Sequence, residues 1–400
     1  MTDSAPCATC GTPLVDGTCT TCAPRRAFPF MQREMVAIVL LSVVVVAGFI
    51  LTRRAAAANR ALRLSDAAAW SVAGQGDAAA HRTDAAVHAL RRAAALDRDN
   101  RGYQLALAGA LAAADDHDAA RQVLLRLRDT APEDAEVNLE LARLEAQRDD
   151  VPGTVRYYQS ALYGRWSGDQ GDARRDIRVE LVRFLLSHDQ RSRALSELLI
   201  LSSNAPPETG ANVEMGQLFL DAGDPARALD HFRRALRLSA TEPSAIDGAA
   251  ESTFALADYP AAQTYLHASS TPSGRVAKLR QLVDLVQATD PLAPGVPSSD
   301  RQQRVQSGLD AARDRLDRCL SQAVLPGQPP TDTETLQTLR ARVDTLGGLD
   351  RPAPVLFETF EQAFSLIYEV EQTVPESCAA PTPMDRALLL IGRRHGVSQP

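Results

Sequence analysis

Asn212-Val-Glu-Met-Gly-Gln-Leu-Phe219, then Asp221-Ala-Gly-Asp-Pro225, then Ala228-Leu-Asp-His-Phe-Arg-Arg-Ala-Leu-Arg-Leu238 is the stretch that decides the fold. Met215, Gly216 and Phe219 share one face of a first helix, and Ala228, Phe232, Ala235 and Leu236 share one face of a second. Asp221–Pro225 is turn chemistry, with proline tolerated only at the helix start that follows. Gly216 and Ala228 are small where the two helices should cross. Phe232 and Leu236 are large where one unit should meet the next.

The same phase recurs every 34 residues. Leu90, Ala93, Ala94 and Leu96 end a first unit, with Asp97-Arg98 at its exit. Leu107, Ala108, Leu111, Ala120, Leu124, Leu127 and Pro132 mark a second. Leu141, Ala142, Tyr158, Ala161 and Leu162 mark a third, ending at Trp166, with a six-residue excess at Ser167–Asp172. Leu181, Val182, Leu185, Ala194, Leu198, Leu201 and Pro206 form a fourth, and Ala249, Ala250, Ala262 and Leu266 a weaker sixth. A generic helical bundle would not lock small residues to one phase of such a period. The pattern resembles the tetratricopeptide (TPR) repeat, a helix–turn–helix unit of about 34 residues. The resemblance implies an all-α, right-handed superhelical solenoid of about six repeats over residues 60–290, since no unit can bury its apolar face alone.

The resemblance also implies a concave groove lined by the first helix, A, of each repeat. Its expected partner-facing positions are Glu136, Leu139, Glu140, Arg143 and Gln147, then Val179, Glu180 and Arg183. They continue with Val213, Glu214, Gln217, Asp221, Asp247 and Glu251. The lining is mixed and mildly acidic, which suits a protein or peptide segment with basic residues or a free amino terminus. Each of these positions also reads simply as a solvated polar face.

Before the repeats come two other elements. Cys7, Cys10, Cys19 and Cys22 form two Cys-x-x-Cys pairs, a spacing that can set four sulfurs at tetrahedral corners around a structural Zn²⁺. Gly11 suits a knuckle needing positive φ, and Asp16-Gly17 suits a hairpin turn. Residues 5–24 resemble a short zinc ribbon. A disordered tail with incidental thiols is the bland alternative; a dithiol redox site fits worse, because no βαβ pattern follows. Nucleic acid is an option for the ribbon on family grounds, with Arg25 and Arg26 beside it. It is disfavoured for the solenoid of a chain with net charge −7.

Met35–Leu51 carries no charge over 17 residues, roughly 26 Å of helix, enough to cross a bilayer core. A transmembrane helix at residues 35–52 is expected; a cleaved signal peptide is the alternative, although it would discard the cysteine cluster. Arg25, Arg26 and Arg33 before the span nearly balance Arg53, Arg54, Arg60 and Arg63 after it, so charge does not set orientation. The cysteines do: metal thiolates favour a reducing cytoplasm, whereas Cys319 and Cys378 can form a disulfide outside it. Closing that ~60-residue loop would contribute about 4 kcal/mol. The expected location is therefore a bacterial inner membrane, crossed once, with the N-terminus cytoplasmic and the repeats periplasmic. The bacterial source is inferred from arginine usage, Lys278 being the only lysine.

Past the repeats, Gly274–Ala288 reads as an amphipathic capping helix and residues 290–300 as a Pro/Ser-rich linker. Residues 301–396 read as a C-terminal helical domain. Its helices are Val305–Ala323, Thr333–Leu346, Pro352–Val374 and Met384–Arg394, the third with a stripe of Phe357, Phe360, Phe364, Ile367 and Val370. That stripe can be core or a partner surface. No phosphate loop, nucleophile elbow or metalloprotease motif is present, and His81, His88, His117 and His188 form no convincing ligand set. The sequence therefore predicts a membrane-anchored scaffold and no enzyme. Alternatives are a transmembrane sensor whose ribbon binds nucleic acid or protein, and an accessory factor for envelope or cytochrome assembly.

Overall fold

The computed structural model describes residues 5–22, 28–166, 171–270, 274–322, 333–347 and 357–396. Arg25, Arg26, most of the extra residues after Trp166 and the start of the expected Pro352 helix lie outside them. The described residues are all-α, with TPR-type helical hairpins, and divide into two compact units, Met1–Trp166 and Ser167–Pro400.

In the first unit, α1 spans Phe28–Ala79, and three hairpins follow from its C-terminal part: α1 with α2 (Thr83–Leu96), α3 (Arg101–Ala113) with α4 (His117–Thr130), and α5 (Ala135–Gln147) with α6 (Val151–Tyr163). The apolar stretch and helix A of the first repeat are thus one uninterrupted helix of 52 residues. Met35–Leu51 is exposed throughout, Leu41 and Leu51 to 66% and 67%, and Ala67 is the first fully buried residue of α1 after Arg33. The span is long and apolar enough to cross a membrane.

The second unit repeats the design with α7 (Gly171–Ser187), α8 (Arg191–Ser203), α9 (Thr209–Asp221), α10 (Pro225–Leu238), α11 (Pro243–Ala255) and α12 (Tyr259–Ala268). It continues into α13 (Gly274–Thr289), α14 (Ser298–Gln322), α15 (Thr333–Leu346), α16 (Phe357–Thr373) and α17 (Pro383–Arg394).

One register runs through every hairpin. Ala86, Ala120, Thr154, Ala194, Ala228 and Ala262 occupy one phase of the second helix, B, and none is more than 1% exposed. Four positions on, Leu90, Leu124, Tyr158, Leu198, Phe232 and Leu266 are buried as the large residues of that helix. Each A–B turn puts one residue in the left-handed region: His81, Asp115, Asp149, Asp189, Gly223 and Ala257. In four turns the next residue, Asp116, Asp150, Asp224 or Asp258, caps helix B by accepting from the amide three residues on, at 3.0–3.3 Å.

At Gly216 the nearest neighbour is Phe232. A Cβ there would sit 2.7 Å from the Phe232 ring, and a Cβ on Gly248 would clash with the same ring. Phe232 is therefore wedged between α9 and α11, and two glycines make room for it. The repeat phase points to Gly216 and is silent on Gly248.

Residues 290–300 also differ from a linker. Asp290 is fully buried, accepts from the Leu292 amide at 2.9 Å and His395 Nε2 at 3.1 Å, and pairs with Arg394. α14 begins within the stretch, at Ser298. The C-terminal helices share a core with the last repeat: Phe364, Ala387 and Ile391 pack with Ala250, Tyr259, Leu266 and Val283. Phe360, Ile367 and Val370 turn instead into a second core with Leu309, Leu316 and Leu339. The described part of the phenylalanine stripe is core, because α16 sits between these two clusters.

A buried polar contact joins α8, α9 and α10. Asn212 donates to the Glu208 carbonyl at 2.8 Å, so its oxygen accepts from His231 Nδ1 at 3.2 Å. That leaves His231 Nε2 to accept from Ser202 Oγ at 2.9 Å, a neutral imidazole with both nitrogens used. Burial, and then the Arg234 charge, hold His231 below the ordinary histidine range. The unfolded chain consequently binds its proton first as pH falls, so stability from this site is present above about pH 6.5 and lost as pH drops through the lowered value. Thermal melts between pH 7.5 and 5 should show a steeper acid loss for the native chain than for His231→Gln. Parallel profiles would contradict this role.

Candidate metal centre and helix A face

The N-terminal knuckle is built from backbone geometry, with no hydrophobic core of its own. Gly11 and Gly17 take φ of +70° and +74°, and Asp16 takes +48°. Asp16 and Gly17 thus form the two positive-φ positions of a tight turn, closed by paired amide–carbonyl bonds between Val15 and Thr18 at 3.1 and 3.2 Å. The Gly11 amide donates to the Cys7 carbonyl and the Cys7 amide to Thr12, each at 2.9 Å, while the Cys22 amide donates to Cys19 Sγ at 3.2 Å.

These turns bring the sulfurs of Cys7, Cys10, Cys19 and Cys22 within 4.8 Å of one another. A tetrahedral Zn²⁺ with bonds of about 2.3 Å needs sulfurs about 3.8 Å apart, so the quartet fits with small rotamer changes. Their acidities are pulled apart. The Thr12 hydroxyl chiefly lowers Cys19 to about 6, and Cys10 is lowered mainly by the same hydroxyl. Neighbouring Cys10 and Cys19 push Cys22 up to about 12. A bound cation would remove that conflict by stabilising four thiolates together. The four cysteines would be its ligands, and its chemistry would be structural cross-linking.

The other two cysteines meet. Cys319 on α14 and Cys378, in the loop after α16, form a disulfide with Cα atoms 5.0 Å apart. Beside it, Arg315 and Glu371 form a buried ion pair, and Arg315 Nη2 donates to the Val374 carbonyl at 2.9 Å. Burial raises Glu371 to about 7 against the pull of Arg315.

The expected groove residues all lie on A helices, but most are tied to neighbours within the chain. On α5, Glu136 pairs with Arg101 at 2.6 Å and Glu140 with Arg143 at 3.1 Å; Gln147 is exposed and Leu139 is buried. In the second unit, Val179 is buried, Glu180 is half-buried, and Arg183 reaches Glu214 at 2.8 Å. Val213 is half-buried, and Gln217 donates to Asp221 at 2.8 Å. Asp247 accepts from Ser269 Oγ at 2.7 Å, and Glu251 pairs with Arg275. The mild acidity expected of this face is thus largely neutralised. Arg101 and Arg275, which neutralise it, were not singled out, because a long side chain's target is invisible in local periodicity. The histidines do not cluster: His81 is in the A–B turn, His88 on α2 meets Trp70 edge-on, and His188 lies tilted against Phe184. His117 opens α4 beside Asp115, at 3.8 Å.

No family model matches the chain, and no curated protein matches it in sequence. Among solved structures, the chain is similar to the TPR2AB domain in its pHSP90 complex from yeast Sti1, at 15% identity, covering 55% of this chain and 99% of that one, with a TM-score of 0.25. It is similar to Pseudomonas aeruginosa PilF at 18% identity, 69% and 98% coverage, and a TM-score of 0.32. The P58(IPK) TPR domain follows at 14%, 84% and 99%, and 0.26.

The knuckle's prediction is elemental. Protein purified under reducing conditions should carry about one zinc per chain, and Cys19→Ser should lose it. Four freely titrating thiols with no stoichiometric metal would rule the centre out.

Proposed function

We propose that this chain is a membrane-anchored scaffold that holds protein segments on the helix A faces of its repeats. The observation that carries the reading is the division of labour within each hairpin. Small and large residues in fixed register are consumed by packing, while Arg143, Gln147, Arg183, Gln217 and Asp221 on A helices stay exposed. A repeat built this way spends its apolar surface on its neighbours and keeps a polar face for partners.

The anchor in this reading is residues 35–52, and the ribbon at residues 5–24, holding structural zinc, lies on the opposite side from the repeats. Two cysteine classes support the placement. Four clustered thiols precede the apolar helix, and a disulfide pair follows it, which suits a reducing compartment on one side and an oxidising one on the other. The N-terminus would be cytoplasmic and the repeats periplasmic, in a bacterial inner membrane. Because α1 runs unbroken from the span into the first repeat, the anchor would also fix that repeat's distance from the bilayer. Ala67 lies sixteen residues past Leu51, roughly 24 Å along the helix.

A proximity-labelling peroxidase fused after Pro400 tests both parts in the source cell. The account expects labelled periplasmic and envelope proteins, in a set distinct from that of the same peroxidase on the anchor helix alone. Labelling of cytoplasmic proteins would reverse the orientation, and a set identical to the anchor control would remove the scaffold reading.

A further inference from the structure

The second unit contains a hollow apart from the metal centre, at the end of the expected groove, where Glu251 reaches its rim. A cavity of about 620 Å³ opens where the A helices α9 and α11 meet α13 and α17. Leu220, Phe254, Leu279 and Leu282 supply its apolar wall. The last three are only partly buried, packed on the core that joins the final repeat to the C-terminal helices, so they form the outer skin of that core. The volume lies in the range of sites that take ligands.

Its rim carries three cations, one of them paired. Arg275 is neutralised by Glu251 across the rim. Lys278 and Arg386 also line the cavity, are exposed, and have no carboxylate partner among the described residues. Two unpaired cations beside an apolar hollow therefore occur in a chain whose net charge is −7. Lys278 and Arg386 come from α13 and α17, outside the repeats, so the site exists only because the C-terminal helices close against the last repeat.

The geometry points to a docking site for an acidic segment of a partner protein, which inserts apolar side chains between Phe254, Leu279 and Leu282 while its carboxylates meet Lys278 and Arg386. This rests on the scaffold reading and narrows it. The groove was expected to favour basic partners; this end of the helix A face selects acidic ones. Apolar insertion supplies affinity, and the two cations supply orientation and rate, so binding should weaken as salt rises.

Lys278 is the only lysine, and this makes the test direct. The full chain in detergent is mixed with a peptide bearing two leucines flanked by aspartate and glutamate. Controls replace its acids with arginine, or its leucines with serine. Binding is read by fluorescence anisotropy, and carbodiimide coupling joins a peptide carboxylate to any nearby amine. The acidic leucine peptide should bind, couple at Lys278, and lose about tenfold or more in affinity with Lys278→Glu or Arg386→Glu. Lys278→Gln, a milder change at an exposed position, should lose less and melt as the native chain does. Absence of binding, equal binding of either control peptide, coupling only at other amines, or unchanged affinity in both charge reversals would each overturn the site. The scaffold reading stands or falls separately, on the proximity-labelled set.

Discussion

The crossing of the two helices in each hairpin is the constraint on which the rest depends. Two backbones can approach closely only where a side chain is small, and Ala86, Ala120, Ala194, Ala228 and Ala262 supply that at one phase. Thr154 is the exception and shows the cost. It is fully buried, and its hydroxyl finds no hydrogen-bond partner, a penalty of about 1–3 kcal/mol for a group of this kind. Once the crossings are fixed, the large residues one turn later must fill the space between units. Phe232 does so most tightly, held between Gly216 and Gly248. What remains unspent is the outer face of the A helices.

Much of this was legible because repetition averages out local ambiguity. A single Ala-x-x-x-Phe is weak, but the same phase in six hairpins fixes helix pairing, turn position and core. The knuckle was legible for a different reason: Gly11 and Asp16-Gly17 are residues that tolerate left-handed backbone, and the structure uses each one that way. Partners distant in sequence were not legible. Gly248 carries no local signal, because its reason is a ring sixteen residues earlier. The residues around Asp290 have the composition of a linker, whereas Arg394 and His395, which hold it, lie more than a hundred residues away. The continuity of α1 was hidden by a change of solvent along one helix: apolar residues to Leu51, then alanine and arginine, with no helix breaker between them.

The C-terminal helices carry the most expensive chemistry in the fold. Burying Arg315 with Glu371 strips both of water, and Glu371 Oε1 and Arg315 Nε remain without partners. Such a pair adds little net stability and strongly penalises loss of either member. The disulfide beside it secures the same corner covalently, tying α14 to the loop after α16. A rigid corner here matters to the cavity, because α17 follows directly and contributes Arg386 to its rim.

The register itself is tested most directly by two substitutions on one helix. Ala228 and Ala226 both lie on α10, the first fully buried at the crossing and the second exposed. In thermal unfolding followed by circular dichroism, Ala228→Leu should cost about 1–3 kcal/mol, as overpacking does in a filled core. Ala226→Leu should melt with the native chain. Equal behaviour of the two would contradict the account, since it would mean that close approach at this phase does not hold the repeats together.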